Sequence, residues 1–358
     1  MKNFSFYSPV KVILSDNFKD ELEKILNKYK NIALICGKNA AYKTGFVDLL
    51  KDTVKESLFI FDEVEENPSI NTVIKGGKFV RQNKCDLIVA FGGGSSLDAA
   101  KAISAFATNN KGFYELLSVN GLPNPTIPIV AIPTTCGTGS EVNHYAIITD
   151  YEKKDKINFA KEECFPKFAI LNHEYLNFLN ENTLYATIFD AFTHAFEGYL
   201  SKRANPFSDM VATQSIKIIL ENLEKEKLDD SSLKNFLYAS TLAGIVILHT
   251  GTTLLHALGY YLTNHKSIHH GMANFILLPN YIEMLEHKNV DKYYALKKIF
   301  PNMVDILNKY RGMFKEKVDS ILNEKELSEM CEYALNKKNA ENTLFSMDKK
   351  ELMSFFGF

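Results

Sequence analysis

The spacing of apolar residues changes near the middle of the chain. In the first half, short runs rich in β-branched and aromatic residues recur at Lys11 to Leu14, Ile32 to Cys36, Leu58 to Phe61, Asp86 to Phe91, Ile127 to Ile132, Tyr145 to Thr149 and Phe168 to Leu171. Such runs predict buried strands. Between several of them lie stretches with apolar residues every third or fourth position, such as Phe18 to Tyr29 and Ile70 to Gln82, which predict amphipathic helices. The alternation argues for a mainly parallel sheet covered by helices. After about Asn172 the strand signal stops, and the rest reads as successive helices, with Asn205-Pro206 and Leu278-Pro279-Asn280 among the breaks. The expectation is an α/β domain over 1–174 followed by an all-α domain over 175–358, with a cleft between them. The Lys-rich and Asn-rich tail from Lys315 to Lys350 reads as a solvated helical surface.

Composition narrows the class without naming it. The chain has 358 residues, 46% of them hydrophobic and 23% charged, enough for two cores in an ordinary soluble protein. A net charge of −2 without a long run of one sign gives no reason to expect a nucleic-acid partner. Five scattered cysteines without a CxxC argue against a disulfide framework or a thiolate metal site, and a reducing cytoplasm is the simplest home. The segment MKNFSFYSPVKVILSD shows no signal-peptide pattern. Between Lys234 and Lys266 there is no Asp, Glu, Lys or Arg, a length that could span a bilayer. Thr250-Gly251-Thr252-Thr253 divides that stretch, and histidines punctuate it, so it reads as two buried helices and no membrane is expected.

Two loops suggest a nucleotide. In CDLIVAFGGGSSLDAAKAIS, Cys85 to Ser104, a strand leads through Gly92-Gly93-Gly94 into a helix beginning near Ser95. Glycines let the backbone approach a ligand closely, and the helix N-terminus offers N–H groups and the positive end of the dipole to a diphosphate. A tight turn alone would also use glycines there. IPTTCGTGSEV, Ile132 to Val142, follows the next strand with hydroxyls from Thr134, Thr135, Thr138 and Ser140. Loops at the carboxyl ends of successive strands line the ligand crevice of an α/β sheet.

The helical half carries a second chemistry. In IFDAFTHAFEGYL, Ile188 to Leu200, a spacing of four puts Asp190 and His194 on one side of a helix, and the surroundings are nearly uncharged. Downstream, His249, His256, His265, His269 and His270 lie in or beside GTTLLHALGYYLTNHKSIHHG. One carboxylate with imidazoles around an open position suits zinc or ferrous iron and does not suit magnesium or calcium. A local Asp190–His194 ion pair with hydrogen-bonded core histidines is the plainer alternative, and spacing alone does not choose the downstream partners.

FGGGSSLDAAK, IPTTCGTGSEV, FDAFTHAFEGYLS and HHGMANFILLP, in this order, resemble the iron-containing (group III) alcohol dehydrogenase family over essentially the whole chain. The resemblance implies a dehydroquinate-synthase-like fold with an N-terminal dinucleotide-binding domain. It implies Asp190, His194, His256 and His270 as metal ligands, Gly93, Gly94, Ser95 and Asp98 on the diphosphate loop, Thr134, Thr135 and Thr138 on the second cofactor loop, and Lys156 facing the cofactor. Relatives often carry a histidine where this chain has Tyr260, leaving Tyr260, water or ribose hydroxyls to relay a proton. NAD-selective relatives place an acid just after the strand Ile32 to Cys36. Here stand Gly37, Lys38 and Asn39. Glycine leaves room, Asn39 can donate and Lys38 adds positive charge, which predicts NADP over NAD.

The expected activity is a metal-dependent, NADP-linked interconversion of a small primary alcohol and its aldehyde, with Fe2+ first and Zn2+ second, in a homodimer. A zinc polyol dehydrogenase of the glycerol type is the nearest alternative. A dehydroquinate-synthase-like lyase ranks below it, because few basic residues stand near the ligands.

Overall fold

The structure is a computed structural model that describes residues 3–153, 155–313 and 318–357. It divides into two compact units. One holds Tyr7–Thr135 and Gly139–Leu179, and the other holds Asn180 onward together with Cys136–Thr138 and the described residues before Tyr7.

The first unit is built on a six-stranded parallel sheet of β1 (Lys11–Leu14), β2 (Ile32–Cys36), β3 (Leu58–Phe61), β4 (Leu87–Gly92), β5 (Ile129–Pro133) and β8 (Phe168–Leu171). A separate antiparallel pair, β6 (Ile147–Asp150) and β7 (Asp155–Asn158), shares a core with the covering helices through Ile148, Val73, Ala102 and Phe106. The sheet order is β1-β8-β5-β4-β2-β3, and every pairing is parallel. Because side chains alternate along a strand, Leu34, Cys36, Val89, Phe91, Val130 and Ile132 enter one core. Their neighbours Ala33, Ile35, Ile88, Ala90, Ile129 and Ala131 enter another on the opposite face. Helix α1 (Phe18–Leu26) supplies Phe18, Leu22, Ile25 and Leu26 to the first core. Helices α2 (Ile70–Gln82) and α3 (Gly94–Thr108) supply Val80, Leu97, Ala100 and Ile103 to the second. Burial on both faces explains why these strands read as continuous apolar runs.

β7 has the sequence DKIN, too polar and too short to register as a strand in the pattern of the chain. It forms because Ile148 and Thr149 of β6 pair with Ile157 and Lys156.

The second unit is helical: α4 (Glu181–Tyr199), α5 (Pro206–Leu223), α6 (Asp230–Thr250), α7 (Leu254–Lys266) and α8 (His270–His287), followed by shorter helices. Asn205 caps α5, accepting from Phe207 N and Ser208 N, and Pro206 occupies the first turn, where its missing N–H costs nothing. The break at Thr250-Gly251-Thr252-Thr253 is present, with Gly251 at φ 63° between α6 and α7. The expected break at Leu278-Pro279-Asn280 is absent, since Pro279 lies inside α8. Burial of Phe275, Leu277, Leu278, Tyr281 and Ile282 around it outweighs the roughly 3 kcal/mol that an internal proline costs. α6 is long and apolar enough to cross a membrane by length and composition, but 67% of its apolar window is buried in the folded protein. Of the tail expected to be surface, Lys315–Lys317 lie outside the described residues. Further on, helix Glu324–Leu335 buries Leu327, Met330, Cys331 and Ala334, so one of its faces is core.

Candidate metal centre and nucleotide loops

Three helices bring four donors together. α4 carries Asp190 and His194 on one face, α7 supplies His256 from its first turn, and α8 begins with His270. Asp190 Oδ2 lies 4.0 Å from His194 Nδ1, and Asp190 Oδ1 lies 3.8 Å from Nε2 of both His256 and His270. These distances exceed a direct hydrogen bond, so no single imidazole is hydrogen-bonded to the carboxylate. Asp190, His194 and His256 offer donor atoms within 4.8 Å of one another, all buried. His270 is half-buried and joins them through Asp190. The competing histidines stand elsewhere: His249 stacks on Phe6, His265 is exposed and stacks on Tyr261, and His269 is exposed at the N-cap of α8.

The other ring nitrogens fix the imidazoles. His194 Nδ1 is 3.1 Å from the carbonyl oxygen of Gly137, which can only accept, so Nδ1 carries the proton and Nε2 keeps its lone pair. His256 Nδ1 donates to the buried Glu197 carboxylate, and His270 Nδ1 is 3.4 Å from Thr263 Oγ1. Such partners set the tautomer and ring angle of a metal-binding histidine. Burial disfavours charge on Asp190, yet His194, His270 and His256 around it prevail and hold its pKa below the ordinary value. Burial depresses the pKa of His194. On His256 burial acts the same way, but Glu197 outweighs it and raises the pKa.

Asn274 sits beside the donors, fully buried. Its Nδ2 is 3.1 Å from His256 Nε2, 3.4 Å from His270 Nε2 and 3.3 Å from Asp190 Oδ1, while its Oδ1 has no partner. An amide nitrogen only donates, so these contacts show that Asp190, His256 and His270 turn acceptor atoms on one point. One carboxylate and three imidazoles fit Fe2+ or Zn2+. Tyr260 lies over this group: its ring stacks on His270 at 5.2 Å and 11°, and meets His256 edge-on at 6.2 Å.

In the α/β unit, connections from β2 and β4 leave in opposite directions along the sheet, making the switch point at which such folds bind ligands. Gly37, Lys38 and Asn39 follow β2, Gly93 and Gly94 follow β4, and Thr134 and Thr135 follow from the end of β5. Gly92 has φ 144°, and a Cβ there would meet Ser96 Oγ at 2.4 Å. Gly93 caps α3 without a side-chain hydrogen bond. Asn39, exposed at the start of a short helix, also makes no cap bond, and Lys38 is exposed. Ser95 Oγ accepts from Asn67 N at 3.2 Å, and Lys156 Nζ donates to Asn67 Oδ1 at 3.0 Å, so both reach the same point. Burial lowers the Lys156 pKa. Asp98 is committed to the scaffold: it accepts from Ser140 Oγ at 2.5 Å and from Ile147 N at 3.0 Å, beside the buried Lys101.

Thr138 belongs with Cys136 and Gly137 in the helical unit, where Cys136 Sγ meets Thr187 Oγ1 at 3.4 Å. The loop read for its hydroxyls therefore also supplies the carbonyl that orients His194. Sequence reading missed Gly137, Glu197, Thr263, Asn274 and Asn67. Only Glu197, a lone carboxylate in an apolar stretch, carried a signal that could have found it.

This is the architecture and donor set of a metal-assisted nucleotide oxidoreductase, and comparison with known proteins specifies the family. The family model for iron-containing alcohol dehydrogenase matches residues 9–173, and that for the C-terminal part of the Fe-containing alcohol dehydrogenase family matches residues 184–332. The chain belongs to the iron-containing alcohol dehydrogenase family. It is 37% identical to a 1,3-propanediol dehydrogenase of Klebsiella pneumoniae over 246 residues, 67% of this chain and 64% of that protein. It is 32% identical to an NAD-dependent methanol dehydrogenase of Bacillus methanolicus over 286 residues, 78% of this chain and 75% of that one. With an NADPH-dependent butanol dehydrogenase of Clostridium saccharobutylicum it shares 33% over 289 residues, 78% and 74% of the two chains. The crystal structure of an iron-containing alcohol dehydrogenase from Thermotoga maritima superimposes with a TM-score of 0.88 at 33% identity, covering 99% of this chain and 100% of that one.

Proposed function

We propose that this chain is an iron-dependent, NADP-linked enzyme that interconverts a small primary alcohol and its aldehyde. The convergence of Asp190, His194, His256 and His270 carries the proposal, because four such donors from three helices have no structural need of one another. When bound, the cation supplies a Lewis acid for the substrate oxygen and the dinucleotide supplies or accepts hydride. Asp190 and the three imidazoles would hold the cation. Tyr260, whose ring stacks on His270, would pass a proton, with water or the ribose hydroxyls as the alternative carriers. Gly93, Gly94 and the start of α3 would receive the diphosphate, with Ser95, Thr134, Thr135 and Lys156 of the same unit beside it.

The NADP preference rests on the end of β2. Gly37, Lys38 and Asn39 bring no carboxylate of their own against a 2′-phosphate, and exposed Lys38 favours it. The reading also makes the enzyme a cytoplasmic homodimer. Burial of all five free cysteines supports a reducing compartment, and light scattering tests the dimer.

The test is an anaerobic comparison of NADPH and NADH with a series of short aldehydes, on protein whose metal has been measured, repeated with Gly37→Asp. A Cβ at Gly37 would lie 3.0 Å from the Val64 carbonyl oxygen, so Gly37→Ala serves as the control for crowding. The expected result is preference for NADPH, moved toward NADH by Gly37→Asp and not by Gly37→Ala. A parent enzyme that prefers NADH refutes the cofactor assignment, and stoichiometric metal without turnover of any aldehyde refutes the activity.

A further inference from the structure

Glu197 lies on α4, three residues beyond His194, and its side chain is fully buried. Its two carboxylate oxygens have separate tasks. Oε1 accepts from the backbone N–H of Thr253 at 2.9 Å and of His256 at 3.2 Å, and from the Thr253 hydroxyl. Oε2 accepts from His256 Nδ1. Thr253 is the N-cap residue of α7, yet its own side chain makes no cap hydrogen bond. The Glu197 carboxylate, arriving from another helix, therefore satisfies N–H groups that the first turn of α7 leaves open and places negative charge at the positive end of its dipole. The Thr253 hydroxyl is also 2.8 Å from Tyr281 Oη, which extends the buried network to α8.

We propose that Glu197 is the positioning residue of the metal centre: one carboxylate caps the helix that presents His256 and holds that imidazole with its proton on Nδ1, so that Nε2 faces Asp190 with a free lone pair. This rests on the reading of His256 as a ligand. The two tasks are inseparable because His256 occupies the first turn of the helix being capped, so one side chain sets both the position of its backbone and the orientation of its ring.

The arrangement makes Glu197→Gln informative. Three donors converge on the Oε1 side, so the single amide oxygen of glutamine must take that side to preserve the cap. Its NH2 group then faces His256 Nδ1, which must become an acceptor, and the proton moves to Nε2. An Nε2–H imidazole cannot bind a metal through that atom. A glutamate that merely filled space or capped α7 would not produce this switch.

The experiment uses histidine-labelled full-length protein, with tautomers read from long-range 1H–15N correlations after chelator treatment, and Zn2+ and Fe2+ affinities measured by chelator competition. Read at a pH high enough for His256 to be neutral, the parent should show the Nδ1–H tautomer. In Glu197→Gln it should be Nε2–H, with metal affinity about 10- to 100-fold weaker, the range found when such supporting partners are lost. Thr253→Ala, which removes one donor but leaves the carboxylate on His256, should keep the parental tautomer and affinity. Unchanged tautomer and unchanged affinity in Glu197→Gln overturn the proposal. Should that variant not fold, an Nε2–H tautomer for His256 in the parent protein does so equally. His256→Ala separates the two claims: parental metal affinity in that variant refutes the ligand assignment, not the hydrogen bond from Nδ1 to Glu197.

Discussion

Gly271 offers the sharpest test of how the helical unit shapes its metal centre. It follows His270 in the first turn of α8, where α8 presses against α4. A Cβ built there would lie 2.0 Å from the carbonyl oxygen of Ala186 and 2.9 Å from Asp190 Cβ. Ordinary contact begins at 3.4 Å, so Gly271→Ala requires local separation of 3.4 minus 2.0, or 1.4 Å, against backbone that cannot swing aside. Overpacking of this kind costs about 1–3 kcal/mol. At roughly 2–4 °C per kcal/mol for a unit of this size, the unfolding midpoint should fall by about 2–12 °C. The displacement acts directly between His270 and Asp190, now 3.8 Å apart, so metal affinity should fall by about tenfold or more. Calorimetry and anaerobic chelator competition read the two effects separately. Gly77→Ala is the comparison: its Cβ would meet Phe106 Cβ at 2.7 Å in the α/β unit, which predicts destabilisation with parental metal affinity. Parental affinity in Gly271→Ala, or an equal loss of affinity in Gly77→Ala, would refute the argument that helix approach sets the ligand geometry.

Further outcomes follow from the same geometry. His270→Ala and Asp190→Ala should each lose most bound metal and nearly all turnover by elemental analysis and assay, whereas exposed His265→Ala should keep both. Tyr260→Phe should retain metal and dinucleotide binding while changing the pH profile of turnover; an unaltered profile at unaltered rate would reduce Tyr260 to packing. His144 should make the fold acid-sensitive, because burial first, and then the charge of Lys101, depress its pKa from 6.5 to about 4, and its Nδ1 has no partner. The folded protein binds this proton less readily than the unfolded chain, so stability is full above pH 6.5 and declines as pH falls toward 4. The shift bounds the loss at about 3 kcal/mol, and solvent screening of a half-buried ring leaves about 1–2 kcal/mol. Denaturant midpoints in that window should vary less with pH in His144→Phe than in the parent.

The parallel sheet was legible because its strands are buried on both faces and so appear as uninterrupted apolar runs such as Ile32–Cys36. β7 was not, since Asp155–Asn158 owes its conformation to pairing with β6 and not to its own residues. Pro279 misled in the opposite direction: a local rule of termination yields to the side chains that surround it in the folded unit. At the metal centre, Asp190 and His194 were visible through helical spacing, whereas His256 and His270 were selected by resemblance; in the structure His265 and His269 are exposed. The supporting partners were hidden for a general reason. A backbone carbonyl such as that of Gly137 has no sequence identity to recognise, and hydrogen bonds such as Asn67 to Ser95 and Asn274 to His256 join residues that local patterning does not link.

The helical unit is not one continuous length of chain. Phe6 stacks on His249 and on Phe207, and Gly137 holds His194, although long stretches of the other unit separate these segments in sequence. During synthesis Phe6 and Gly137 leave the ribosome before the helices that receive them. Completion of the helical unit therefore requires the closure of long loops, an entropic cost that local helix formation does not carry. Cutting the chain at a single site cannot yield a complete helical half. A fragment beginning at Asn180 would lack the carbonyl that orients His194 and the aromatic ring that covers His249.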